Sequence, residues 1–162
     1  MKIIVSEWEI KRMEEYSSIA AKFAKQSTCK KSQGGALVVR NGEMIGFGYN
    51  KVTSETLCNP CVREDIHDNS RVELCSAIHA EQIALLDAFN RYGRAARGSL
   101  MYYIKIKNGE PVYSGQPSCT VCSRLLFEAQ ISLVLWQEQG YIIYEPEEIN
   151  KLSFEYFLKG RQ

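Results

Sequence analysis

The chain has 162 residues, of which 45% are hydrophobic and 24% charged, and its formal net charge is +1. That length supports one compact domain over residues 1–162 and is too short for two full ones. The charge balance excludes a broad electrostatic surface for nucleic acid or an anionic membrane. The first apolar residues are interrupted by charge at once, and no later stretch approaches a membrane span, so the expected compartment is the cytoplasm.

Ser6 and Glu9 have the spacing of a capping box, heading a helix over residues 6–27 with Trp8, Ile10, Met13 and Ile19 as its apolar stripe. Residues 34–50, GGALVVRNGEMIGFGYN, read as two strands joined at Asn41-Gly42, a strong hairpin signal. Residues 51–74 are polar and irregular, a loop long enough to need something to order it. A helix from about Ala80 to Tyr92 follows, closed by Gly93 as its cap. SLMYYIKI, residues 99–106, is a strand on which Tyr102 and Tyr103 face opposite ways, and Asn108-Gly109 is a second turn. CTVCSRLLFEAQ opens a short helix with Val121, Leu125 and Leu126 on its apolar side, and ISLVLWQ is a further strand. Residues 145–160 form a closing helix whose aromatics, Phe154, Tyr156 and Phe157, suit docking on the core or on a partner subunit. Helix, hairpin and then alternating helices and strands define an α/β class, a layered sandwich around a mixed sheet.

Six cysteines stand at positions 29, 58, 61, 75, 119 and 122, four of them in the C-x-x-C pairs CNPC and CTVC. In a reducing compartment such spacing points to metal ligation or catalysis before disulfides. His79 and Glu81 lie at the start of the middle helix, and Cys119 and Cys122 at the start of a later one. Helix N-termini favour negative charge and so the thiolate that binds metal. Zinc takes nitrogen and sulfur ligands in a tetrahedron, and a catalytic site keeps the fourth position for water. His79, Cys119 and Cys122 would fill three positions, and Glu81 would sit beside the water without coordinating. Alone, His79 and Glu81 would read as a capped helix with a satisfied histidine. With the cysteine pair they complete H-x-E followed by C-x-x-C, the signature of zinc nucleobase deaminases.

HAEQIAL, PSCTVC, GALVVRNGEMIGFGYN and CSAIHAEQ together resemble the deoxycytidylate (dCMP) deaminase branch of the cytidine deaminase superfamily, from about Ser27 to Trp136. The resemblance implies a three-layer sandwich with a sheet of about five strands and the zinc site between two helix N-termini. It implies a hydrolase that converts dCMP to dUMP and ammonia, with His79, Cys119 and Cys122 on the catalytic zinc and Glu81 moving the proton. Asn50 matches the asparagine that contacts substrate, and dimers or hexamers are usual. Some members hold the loop with a second, structural zinc. Cys29, Cys58, Cys61 and Cys75 fit that role, with His67 an alternative ligand and free thiols the alternative reading.

The chain departs from the pattern at three places. Ile83 stands where the family has asparagine, Lys51 follows Asn50 where glycine is usual, and Ser118 separates Pro117 from Cys119. The first two fall where substrate and regulatory nucleotides are bound, so weak or absent control by triphosphates is expected. Arg91, near the end of the active-site helix, is a candidate for the substrate phosphate, against the ordinary role of a solvated helix-end charge. Two other functions compete: deamination of another base, nucleoside or nucleic acid, and a zinc-stabilised binding module without catalysis. The near-neutral charge disfavours long polyanions, and Glu81 is superfluous in a purely structural site.

Overall fold

The hydrophobic stretches of the sequence assemble as a mixed sheet flanked by helices in a computed structural model that describes residues 2–3, 6–66 and 74–159. In chain order the elements are β1 (Lys2–Ile3), α1 (Glu7–Ala24), β2 (Gln33–Arg40), β3 (Glu43–Tyr49), β4 (Lys51–Val52), β5 (Ala77–Ile78) and α2 (Ala80–Tyr92). A 3-10 turn, Gly93–Ala96, leads to β6 (Leu100–Lys107), β7 (Glu110–Val112), α3 (Thr120–Ala129), β8 (Ser132–Gln137), β9 (Gly140–Tyr144) and α4 (Pro146–Lys159). Among the described residues no helix is long and apolar enough to cross a membrane.

The main sheet runs β1-β9-β8-β6-β2-β3, with β7 paired to β6 beyond the end of the β8 ladder. The β6–β8 pair is parallel and carries α3 as its crossover, while the others are antiparallel. Among the described residues the main sheet has seven strands, the expected five or so with two short additions. The extra ones are β1 and β7, two and three residues long, too short to show a periodicity in the sequence.

Both turn signals act as expected. Asn41 and Gly42 have φ of 50° and 85°, and Asn108 and Gly109 have 54° and 82°, the left-handed pair that matches strand twist in a two-residue hairpin. Ser6 caps α1, its hydroxyl accepting the Glu9 N–H at 3.3 Å. Trp8 departs from the expected stripe. It is 65% exposed, and the Arg12 guanidinium lies 4.7 Å from its ring, so α1 seats itself through Met13, Ala20, Ala21 and Ala24 instead.

Strand alternation divides the core between the two faces of the sheet. Leu37, Val39, Ile104 and Val134 bury against α1, while Ala36, Val38, Met101, Leu133 and Leu135 bury toward α2, α3 and α4. The second face is where the motif-bearing helices lie. A Cβ at Gly48 would stand 2.4 Å from the Ala80 carbonyl oxygen and 2.6 Å from the Ala84 nitrogen. Glycine at 48 therefore lets the first turn of α2 rest directly on β3. Ile83 packs on this same glycine, its Cβ 2.8 Å from the position a Cβ at 48 would take.

Candidate metal and catalytic site

Both helices that carry chemistry begin at a ligand. His79 is the N-cap residue of α2 and Cys119 that of α3, each in extended backbone just before the first helical turn. The Gln82 side chain accepts the His79 backbone N–H at 2.9 Å, and Cys119 Sγ accepts the Cys122 N–H at 3.3 Å. A two-strand ladder delivers His79 to its place: β4 pairs with β5, and Thr53 donates to the Ser76 carbonyl through both its N–H (3.0 Å) and its hydroxyl (2.7 Å). That ladder occupies the segment after GYN. Lacking the glycine there, the chain continues extended, and the long loop expected over 51–74 is tied down at both ends.

Across the fold the two caps meet. His79 Nδ1 lies 3.4 Å from Cys119 Sγ and 3.4 Å from Cys122 Sγ, and the three ligand atoms fall within 4.8 Å of one another. One nitrogen at ~2.05 Å and one sulfur at ~2.3 Å from a tetrahedral zinc stand about 3.6 Å apart, so this set is at zinc-binding spacing with little adjustment. The donor chemistry agrees. The hydrogen bond shared with Cys122 and the His79 imidazole pull the Cys119 thiol strongly down, against its burial. Two buried sulfurs and an imidazole facing one point favour a cation at that point.

Glu81 lies beside this set, buried, with Oε1 accepting the Ser118 hydroxyl at 3.0 Å. Burial raises its carboxyl above the ordinary range, while the His79 charge and the Ser118 hydrogen bond work the other way. A carboxyl raised in this way holds a proton more readily than an exposed one.

His79, Glu81 and Cys119 stand on the wall of a cavity of about 280 Å³. Asn50 joins them, but its amide is engaged with the protein. Oδ1 accepts the Ala80 N–H at 2.9 Å, capping α2, and Nδ2 donates to the Ser32 carbonyl at 2.9 Å. Arg91 is not on this wall. Its Nε is 2.8 Å from Asp87 Oδ1, one helical turn back, and its guanidinium lies 5.8 Å from the Phe47 ring. Asp87 accepts the Phe47 N–H in turn, so Arg91 braces the β3 edge. Ile83 is not on the wall either, so the missing asparagine removes nothing from this cavity.

Cys29, Cys58, Cys61 and Cys75 line the same cavity. Among the described residues no group of three or more metal-binding side chains other than His79, Cys119 and Cys122 comes within 4.8 Å, so as placed the four sulfurs do not form a closed set. His67 lies outside the described residues. Sequence reasoning missed Lys31, Arg63, Tyr103, Lys105 and Ser118, all on the cavity wall. Only two had a usable signal: Tyr103 as the partner of Tyr102 in strand alternation, and Ser118 as the residue between Pro117 and the first cysteine.

Three ligands at zinc spacing on two helix N-termini, with a buried carboxyl beside them, define the class: a zinc-binding, deaminase-type site. The chain matches the cytidine and deoxycytidylate deaminase zinc-binding region over residues 10–138, and it belongs to that family. Among its relatives, the deoxycytidylate deaminase of Mycobacterium phage D29 is 28% identical over 135 residues, covering 78% of this chain and 94% of the phage protein. The deoxycytidylate deaminase of Saccharomyces cerevisiae is 28% identical over 127 residues, covering 76% of this chain but only 36% of the yeast protein. The fold is that of the cyanophage S-TIM5 dCMP deaminase solved with dCMP and dUMP, with a TM-score of 0.51 at 24% identity, covering 80% of this chain and 82% of that one. It is also that of the Burkholderia pseudomallei cytidine deaminase, with a TM-score of 0.52 at 18% identity, covering 90% and 96%.

Proposed function

We propose that the protein is a zinc-dependent dCMP deaminase that hydrolyses deoxycytidylate to deoxyuridylate and ammonia. The observation that carries this reading is the convergence of His79, Cys119 and Cys122 on one point, with Glu81 beside them on the cavity wall. Relatives named deoxycytidylate deaminase and a dCMP-bound deaminase of the same fold support the choice of base and phosphate.

His79, Cys119 and Cys122 would hold the zinc, which would supply a water whose pKa falls toward ~7. The Glu81 carboxylate takes the proton released as the water oxygen bonds to the amino-bearing ring carbon, and delivers it to the adjacent ring nitrogen. It then passes the second water proton to the departing amino group, so that water enters and ammonia leaves with Glu81 unchanged. Asn50 fixes the first turn of α2, and a second hydrogen on its Nδ2 is left for substrate.

Lys31, Arg63 and Lys105 bring positive charge to the same cavity and suit a monophosphate, the role first assigned to Arg91. Lys31 donates through Nζ to the Arg63 and Ile66 carbonyls, which ties this cationic side to the segment bearing Cys58 and Cys61. On that segment the reading includes a second, structural zinc. Burial pushes the Cys58 thiol up, with its neighbours Cys61 and Cys29 adding to the rise, and a bound ion would draw the four sulfurs inward. A homo-oligomer belongs to the same reading, supported by apolar side chains exposed on neighbouring helices, Leu86 on α2 (60%) and Leu125 on α3 (41%).

The deciding experiment is ammonia release from cytosine, deoxycytidine, cytidylate and dCMP, with adenine and guanine compounds as controls. The highest kcat/KM is expected for dCMP, with little change on adding dCTP or dTTP. A preference for unphosphorylated compounds rejects the phosphate assignment, and release only from a purine rejects the base.

A further inference from the structure

Ser118 stands between Pro117 and the first metal-binding cysteine, buried (8% exposed), with its hydroxyl 3.0 Å from Glu81 Oε1. Glu81 is itself buried (5% exposed), and its carboxylate accepts this hydroxyl from the start of the other ligand-bearing helix. Both side chains face the cavity that holds His79 and Cys119.

The torsion that turns a glutamate carboxylate about its last bond is broad and roughly two-fold, so packing alone sets that angle weakly. A proton carrier needs the angle set, because the same oxygen must reach first the water and then the ring nitrogen. We propose that Ser118 is a positioning residue for Glu81. Its hydroxyl holds Oε1 and thereby directs Oε2 at the reacting atoms. A hydroxyl suits this task because it donates one hydrogen and accepts through two lone pairs. It donates while Glu81 is ionised, and it can turn to accept if the proton settles on Oε1. The chain geometry serves the same end. Ser118 precedes the N-cap of α3 and Glu81 is in the first turn of α2, so one hydrogen bond links the two helix starts that carry the ligands. The inference rests on the proposed role of Glu81 as proton carrier.

The test compares Ser118→Ala and Ser118→Thr with Glu81→Gln in the zinc-loaded enzyme. In Ser118→Ala, kcat for dCMP is expected to fall about tenfold, the loss of one hydrogen bond to a charged group. KM for dCMP, the Kd for the product dUMP and the zinc content should stay as in the parent. Ser118→Thr keeps the hydroxyl and should recover most of the rate. Adding Ser118→Ala to Glu81→Gln should cost nothing further, because the group being positioned is gone. Unchanged kcat in Ser118→Ala overturns the proposal, as does a threonine variant as slow as the alanine one. Loss of zinc from Ser118→Ala also overturns it, since Ser118 would then be supporting Cys119. If Glu81→Gln turns over normally, the failure lies with the role of Glu81 and not with Ser118.

Discussion

Two walls of one cavity carry five of the six cysteines of the chain, with Cys122 buried behind the first, and they are built in opposite ways. On the first, His79, Cys119 and Cys122 sit at the starts of α2 and α3, where helix geometry, backbone hydrogen bonds and a buried sheet place each side chain. On the second, Cys58 and Cys61 lie in a run of turns tied to the body by the β4–β5 ladder and by Lys31. The ligand atoms of the first wall already stand within 4.8 Å of one another, and those of the second do not. Regular elements impose a metal geometry through the backbone, whereas a loop waits for the metal to impose one on it.

The sharpest break of this comparison is metal content. Cys119→Ala removes a ligand from the preorganised wall, and it is expected to abolish turnover and lower bound zinc by one equivalent per chain. Cys61→Ser acts on the other wall. With a structural zinc it should also remove one equivalent, lower the midpoint of thermal unfolding and leave the catalytic zinc in place. Elemental analysis of parent and variants reads both. One equivalent in the fully metallated parent, unchanged by Cys61→Ser, removes the second zinc.

Next in size is Glu81→Gln. It keeps the shape of the side chain and the fold while ending its exchange of protons, so turnover should drop by roughly 10²–10⁴-fold with zinc retained. Zinc analysis beside ammonia release separates this from loss of metal. Near-parental rates in the zinc-loaded variant would remove Glu81 from the chemistry.

Gly48→Val tests whether the first wall depends on the seating of α2 against β3. A side chain there meets the Ala80 carbonyl and the Ala84 nitrogen, which are backbone atoms that cannot swing aside. Overpacking of that kind is expected to cost about 3 kcal/mol of stability and to lower activity by displacing His79. Chemical denaturation measures the first effect. An unchanged midpoint would mean that α2 can lift away from β3 freely.

The contrast between the walls also explains what could be read from the sequence. His79, Glu81, Cys119 and Cys122 were legible because each pair sits within one short motif at a helix start, where spacing fixes direction. Helices α1, α2 and α3 and both Asn-Gly turns were legible for the same local reason. The cationic side of the cavity was not. Lys31 precedes β2, Arg63 lies in the turns and Lys105 is on β6, so only the tertiary fold brings them to one place. The β4–β5 ladder was hidden as well, because two residues on each side carry no period, and the departure from the family pattern at Lys51 gave no hint that the chain runs straight into a strand. Arg91 was assigned to a phosphate from its position near the end of the active-site helix, and nothing in the sequence signalled that it pairs with the acid one turn earlier, off the cavity wall.

The smallest expected effect belongs to that pair of readings. Arg91→Ala and Lys105→Ala each delete one cation, but only Lys105 is on the cavity wall. The Asp87–Arg91 bridge is half exposed on the arginine side, and pairs of this kind contribute at most about 0.5 kcal/mol. Arg91→Ala should therefore leave KM and kcat for dCMP at parental values and barely move the thermal midpoint. Lys105→Ala, and Lys31→Ala with it, should raise KM for dCMP about three- to tenfold while KM for deoxycytidine stays the same, because only the nucleotide offers a phosphate to the lost charge. Steady-state kinetics on the two substrates decides between the positions. A rise in KM from Arg91→Ala that is specific to dCMP would return the phosphate to α2. Equal losses on both substrates from Lys105→Ala would mean that its charge supports the fold of the rim and does not meet the phosphate.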